Sequence, residues 1–481
     1  MIDNQKASDQ QNLPYIISIT IAATLGGLLF GYDTAVISGA IGSLRTYFEL
    51  TAAQTGWAAS SALVGCVIGA SIAGWIADRF GRKPGLLAAA VLFTVSAIGS
   101  AIPDSFTVFI IFRIVGGVGV GIASMLSPMY IAEIAPEHLR GRLVSLNQFA
   151  IVLGILVVYF VNYYIALQGD VSWQVETGWR WMFGSETIPA ALFFLFMLFV
   201  PRSPRWLMLV GQEEKADTVL SKIMNPQYAK KALADIKLSL HRDMNKPKVK
   251  IIGQGFGWVV FIGIMLSVFQ QITGINVILY YAPEIFSQLG GGTTDSSLLQ
   301  TIVVGAVNML FTIVAILTVD SLGRKPLMIY GALGMGICIT AVGLTAYYQI
   351  TEAWILIFML GYIASFALSL GPVVWVLLSE IFPNQIRGKA MAIAVAAQWI
   401  SNFLVSQTFP MMMGNTYLMD TFHGGFPFWV YGAMCAVTIW FVWKYVPETK
   451  GRKLEDMEEL WRKKSDLVPE DEPVAAGSPR R

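Results

Sequence analysis

The apolar positions fall in long unbroken runs, not in strand-like alternation or one-sided helical stripes. A helix needs about 20 mostly apolar residues to cross a bilayer, and twelve stretches meet that length. They run roughly 15–40, 56–77, 84–102, 106–132, 143–167 and 184–200, then 255–288, 298–319, 326–348, 353–379, 389–412 and 426–446. The segment between the sixth and seventh is too polar to span. It is rich in lysine and carries an amphipathic helical pattern at Ala216–Leu220 and Ala232–Leu240. The expected organisation is a tail at 1–14, a six-helix half at 15–200, linker helices at 201–252, a second six-helix half at 253–446 and a tail at 447–481.

Composition fixes the class. Of 481 residues, 55% are hydrophobic and 13% charged, with a mean hydropathy of +0.60, whereas soluble domains carry about 25% charged residues. Such a chain must be solvated by lipid, and the expectation is an all-α membrane protein. Alternating the loops leaves Arg45, Arg113 and Arg180 as the exceptions among 33 Lys and Arg. All the others lie on the side of both termini, so the positive-inside rule makes the tails and linker cytoplasmic. The polar first fourteen residues, ending in Pro14, read as a tail and not as a cleavable signal. A net charge of +2 gives nucleic acid no purchase. Cys66, Cys338 and Cys435 stand far apart in apolar runs, so neither a disulfide framework nor a metal site is expected. No nucleophile–base pair and no phosphate-binding G-x-x-x-x-G-K-[ST] loop occurs, so an enzyme, a cofactor and ATP drive are not expected.

The chain repeats itself. Asp78-Arg79-Phe80-Gly81-Arg82-Lys83-Pro84 returns as Asp320-Ser321-Leu322-Gly323-Arg324-Lys325-Pro326. Glu133 with Arg140-Gly141-Arg142 returns as Glu380 with Arg387-Gly388-Lys389, and Pro201-Arg202-Ser203-Pro204-Arg205 is echoed by Pro447-Glu448-Thr449-Lys450-Gly451. The offset is nearly constant across all three motifs. Two duplicated six-helix halves are a transporter architecture, with the solute site at their midplane interface.

The repeated charges suit a cytoplasmic latch. Asp78, Arg79 and Arg82, with their copies Asp320 and Arg324, lie at helix ends. Glu133 with Arg140, and Glu380 with Arg387, are expected to form ion pairs there. The plain alternative is topology-setting charge, which needs the bases but not the matched acids.

Ionisable residues inside a membrane are costly and mark function by default. Asp33 lies midway along the first span and Arg113 lies in the fourth. A mobile Asp33–Arg113 pair makes a proton switch; a static pair merely ties two helices together. Glu186 and Glu284 are weaker candidates. The other polar intramembrane groups are mostly amides: Gln148, Gln270, Gln271, Asn276, Asn308, Gln398 and Asn402. Amides both donate and accept, as vicinal hydroxyls do, and Trp375 and Trp399 offer flat faces to a sugar ring. The alternative for any one amide is glue between helices. Thr273-Gly274 and Gly371-Pro372 are expected to interrupt their spans. Tyr280, Tyr281 and Pro283 suit an external lid. The glycines from Gly116 to Gly121 read as close helix packing.

Together these motifs resemble the sugar porter family of the major facilitator superfamily over nearly the whole chain. The most specific pieces are Pro201-Arg202-Ser203-Pro204-Arg205-Trp206, Gln270-Gln271-Ile272-Thr273-Gly274-Ile275-Asn276 and the duplicated Gly-Arg-Lys loops. Within the family the chain is most similar to bacterial D-xylose/proton symporters. The resemblance implies the major facilitator fold, Asp33 as the proton-coupling acid with Arg113 its partner, and sugar contacts from Gln148, Gln270, Gln271, Asn276, Trp375, Gln398 and Trp399. It adds Phe30 and Tyr280 to the lining, and Asn308 joins the candidate set. The family pattern has Glu where Arg202 stands. Ile155 stands where the xylose symporters have Gln, which leaves glucose open beside xylose. The expected partners are a small neutral sugar, protons and the lipid bilayer, with the protein a monomer. A facilitative uniporter and a non-transporting sugar sensor are the other readings.

Overall fold

The computed structural model describes residues 12–136, 139–245, 256–290, 294–350, 353–383 and 386–450. Among these, twelve helices are long and apolar enough to cross a membrane. They are span one Leu13–Tyr47, two Ala52–Arg79, three Arg82–Ala101, four Phe106–Ile134, five Arg140–Ala166 and six Val171–Phe199. Then come seven Gly257–Leu289, eight Asp295–Val319, nine Arg324–Tyr347, ten Trp354–Ile381, eleven Arg387–Met413 and twelve Phe426–Tyr445. Three short helices, Pro204–Leu209, Glu213–Ile223 and Pro226–Asn245, separate spans six and seven. They lie on the face where span one begins and span twelve ends, called here the terminal face; the opposite one is the far face.

Large apolar side chains such as Ile111, Phe199, Leu317 and Trp443 are exposed on the outside of the bundle, as lipid solvation requires. The interior is packed close through small residues. A Cβ on Gly117 would stand 1.8 Å from the Ala62 carbonyl oxygen, and one on Gly121 2.4 Å from that of Cys66. The glycine run of span four is thus a contact surface, Gly117 and Gly121 against span two and Gly116 and Gly119 against span three.

Span six starts at Val171, thirteen residues before the hydropathy pattern placed it. Glu176 and Arg180 gave that stretch the look of a loop. Arg180 is satisfied within the fold: it donates to the carbonyls of Ala101 and Pro103, pairs with Asp104 at 2.6 Å and lies over the Trp179 ring. A charge so thoroughly partnered no longer breaks a helix.

Candidate functional site

Four of the spans are broken, span six among them at Ser185 and Glu186. Span one is two helices, Leu13–Ala35 and Ile37–Tyr47. Span seven breaks at Thr273 and Gly274, where Gly274 has φ +96° and a Cβ would meet the Tyr431 ring. Span ten breaks at Ser369, just ahead of the expected Gly371-Pro372. Broken helices leave backbone groups to be satisfied from elsewhere. Gln270 ties two breaks together: its Nε2 donates to the carbonyls of Leu370 (2.8 Å) and Gly371 (3.0 Å), the first residues after the break in span ten. Gln270 was expected among the sugar contacts, and its amide donors are spent on this strap. Tyr362 donates to the Thr273 carbonyl at 2.8 Å, closing the other break.

Asp33 and Arg113 meet in the interior, 0% and 1% exposed. Arg113 Nη1 donates to Asp33 Oδ1 at 2.6 Å and Nη2 to the Asp33 carbonyl at 3.1 Å. Asp33 Oδ2 and Arg113 Nε are buried without a hydrogen-bond partner. Glu186, 1% exposed and with both carboxylate oxygens unpartnered, stands close enough to interact with both members of the pair. The cluster therefore holds two carboxyl groups against one guanidinium. Sequence reasoning ranked Glu186 low, although an acid in an apolar span is itself the signal.

Aromatic side chains meet along the seam between the first six and last six spans. The Phe30 ring of span one lies 5.4 Å from that of Trp399 on span eleven, and Trp375 packs into the same cluster. Gln398 Oε1 and Trp399 Nε1 are buried with no hydrogen-bond partner. They form an acceptor and a donor on neighbouring residues. Asn276 donates to Gln271 Oε1, which the Gly274 kink permits. Asn402 Nδ2 donates to the Tyr280 hydroxyl at 3.4 Å, and Tyr281 donates to the Ser406 carbonyl at 2.9 Å. Ile155 and Asn308 are buried and Gln148 half-buried.

The terminal face carries two similar charge clusters. Arg82 Nη2 reaches Glu133 Oε1 at 2.8 Å, and Ser203 donates to the same carboxylate. Arg324 Nη2 reaches Glu380 Oε1 at 2.8 Å, and Thr449 donates to that carboxylate. The expected partners were wrong: Glu133 pairs with Arg82 and not Arg140, and Glu380 pairs with Arg324 and not Arg387. Arg140 is exposed, while Arg387 donates to the Phe382 carbonyl at 3.3 Å. The Gly81 and Gly323 turns set Arg82 and Arg324 at the starts of spans three and nine, from which they reach the ends of spans four and ten. Asp78 reaches Arg82 only at 4.0 Å from an exposed position, and Arg79 is exposed. The side chain of Asp320 lies outside the described residues.

One difference divides the two clusters. Glu448 accepts from the backbone N–H groups of Arg324 (3.1 Å) and Lys325 (3.0 Å), capping span nine. Burial raises its carboxyl, but the N–H groups of Lys450, Arg324, Lys325 and Thr449 outweigh that and hold it below the usual carboxylate range. At the matching place before span three stands Arg202, whose guanidinium lies over the Trp206 ring at 5.0 Å. Span three has no side-chain cap.

This geometry has known counterparts. The family model described as "Sugar (and other) transporter" matches residues 19–461. The D-xylose-proton symporter of Escherichia coli K12 is 54% identical, over 94% of this chain and 97% of that one. The glucose facilitated diffusion protein of Zymomonas mobilis is 39% identical, over 95% and 99%. Among solved structures, the inward open conformation of the xylose transporter XylE from E. coli matches with a TM-score of 0.82 at 51% identity, covering 93% of this chain and all of that one. The same major facilitator superfamily symporter bound to 6-bromo-6-deoxy-D-glucose matches at 0.79 and 53% identity, over 94% and 100%. The chain belongs to the sugar transporter family, within the major facilitator superfamily.

Proposed function

We infer that the chain carries a neutral monosaccharide, D-xylose foremost and D-glucose second, in symport with a proton by alternating access. The membrane is the cytoplasmic one, and the terminal face is the cytoplasmic face. The working unit is a monomer of two six-helix halves, 15–200 and 253–446, whose seam holds the sugar.

One observation carries the reading: Phe30 and Asp33 lie one helical turn apart on span one, Phe30 against Trp399 and Asp33 against Arg113. A proton arriving at Asp33 weakens its hold on Arg113, and the resulting movement of span one reaches the sugar through Phe30. Glu186 places a second buried carboxyl beside that pair. Gln398 and Trp399 supply an acceptor and a donor to the sugar hydroxyls. Gln148, Gln271, Asn276 and Asn308 complete the polar lining, with Trp375, Tyr280 and Ile155 shaping it. Gln270 contributes by holding the two broken spans together. The Arg82–Glu133 and Arg324–Glu380 clusters latch helices within each half.

Facilitative uniport is the second reading, and the resemblance to the Zymomonas mobilis protein favours it. It requires the Asp33–Arg113 pair to be a static strut.

Sugar binding is tested by counterflow in vesicles, with labelled xylose and glucose competing. Binding of either sugar supports the assignment, and Gln398→Ala weakens it about three- to tenfold through the lost hydrogen bond. Failure of every pentose and hexose to bind the folded protein would sink the sugar reading.

A further inference from the structure

Every hydrogen bond and ion pair found among the described residues between the first six and the last six spans lies toward the far face. Arg45, in the last turn of Ile37–Tyr47, pairs with Glu284 of span seven. Gln407 of span eleven uses both ends of its amide. Its Nε2 donates to the Ala53 carbonyl at 2.9 Å, and its Oε1 accepts from Ser60 at 2.8 Å, both on span two. Tyr159 of span five donates to the Leu279 carbonyl at 2.7 Å. The charge clusters of the terminal face, by contrast, each stay within one set of six spans.

We propose that the Arg45–Glu284 ion pair and the Gln407 amide form a latch holding the far face shut, whose strength sets how often the sugar site opens on that side. This rests on the alternating-access reading. The far face cannot open without parting spans one and seven, and spans two and eleven, and these are the ion pair and hydrogen bonds that join them. The latch is well placed and easily released. Gln288 donates to Glu284 Oε1 at 2.9 Å and fixes the carboxylate, while Arg45 sits where the dipole of its helix favours a cation. Arg45 keeps 45% of its side chain exposed, and partly exposed ion pairs contribute little and exchange readily. Gly56 lets the clamp close, since a Cβ there would stand 2.4 Å from the Gln407 carbonyl oxygen. Glu284 is one turn beyond Tyr280 and Tyr281 on the same helix, so releasing the latch frees the aromatic lid in one motion. None of the three residues touches the Asp33–Arg113 pair or the Phe30–Trp399 contact.

The test uses the full chain with Cys66, Cys338 and Cys435 replaced, and spin labels at Thr46 and Thr416. Both are exposed at the far face, one from each set of spans. Distance distributions are compared for the native latch, Arg45→Glu, Glu284→Arg and the double swap. Each single reversal is expected to populate longer distances and to tighten the apparent affinity for sugar offered at the far face two- to fivefold, because a scarce open state becomes less scarce. The double swap restores both. If the reversals do not fold, Glu284→Gln and Gln407→Leu serve, with the same expectation. Unmoved distances in the single variants, or a double swap that resembles them, overturn the latch. A native chain that binds no sugar while its distances still respond overturns the sugar assignment instead.

Discussion

Arg202 and Glu448 occupy the same place in the duplication with opposite charges, and this predicts a measurable asymmetry. Glu448 accepts from the N-terminus of span nine, so its folded carboxyl ionises more easily than the unfolded one. A depressed folded value stabilises above the unfolded value of about 4.3, and that contribution fades as pH falls through the folded value. Glu448→Gln should therefore cost about 0.5 kcal/mol at neutral pH, discounted for exposure, and nothing in acid. Thermal unfolding at several pH values reads this directly. Arg202→Glu should raise the unfolding temperature at neutral pH, because span three gains the cap that span nine already has. An unfolding temperature that falls would show that the Arg202–Trp206 contact matters more than the missing cap.

The same scale shows what a sequence can reveal. Asp33 and Arg113 were legible because ionisable residues in apolar runs have few reasons to be there. The role of Gln270 was not, because it depends on which carbonyls of span ten the fold brings beside it. Nor was the Arg45–Glu284 pair, whose members are 239 residues apart and come together only through the seam. Ile155 offers a test of specificity: Ile155→Gln should shift competition toward xylose several-fold by adding a donor and an acceptor beside the site. Competition by glucose at unchanged strength would remove Ile155 from the determinants.

The elements of the bundle were legible almost throughout, since runs of apolar residues leave little else to form in lipid. Span six was the exception, because its first thirteen residues owe their helical state to carbonyls and rings contributed by other segments. The breaks carry the sharper prediction. Gly274→Ala places a side chain in left-handed backbone and against the Tyr431 ring. The backbone term alone is about 1–2 kcal/mol, so the variant should unfold at lower temperature and lose transport more steeply than stability. The latter follows because Asn276 no longer reaches Gln271. A variant with native transport would mean that the kink does not organise the site.

For the whole molecule the question is how a proton and a sugar share one movement. A proton entering down 100 mV releases about 2.3 kcal/mol, enough to hold roughly a fortyfold sugar gradient. Span one is the only described segment that brings a side chain to both the charge cluster and the Phe30–Trp399 contact. Neutralising Asp33 should therefore separate binding from driving. The most direct measurement follows external pH as sugar is added to de-energised vesicles, in the native chain and in Asp33→Asn. The native chain should alkalinise the medium as sugar enters. Asp33→Asn should still exchange sugar in counterflow while moving no protons and building no gradient. Sugar accumulation by Asp33→Asn, or a native chain that moves sugar with no change in external pH, contradicts proton coupling through Asp33.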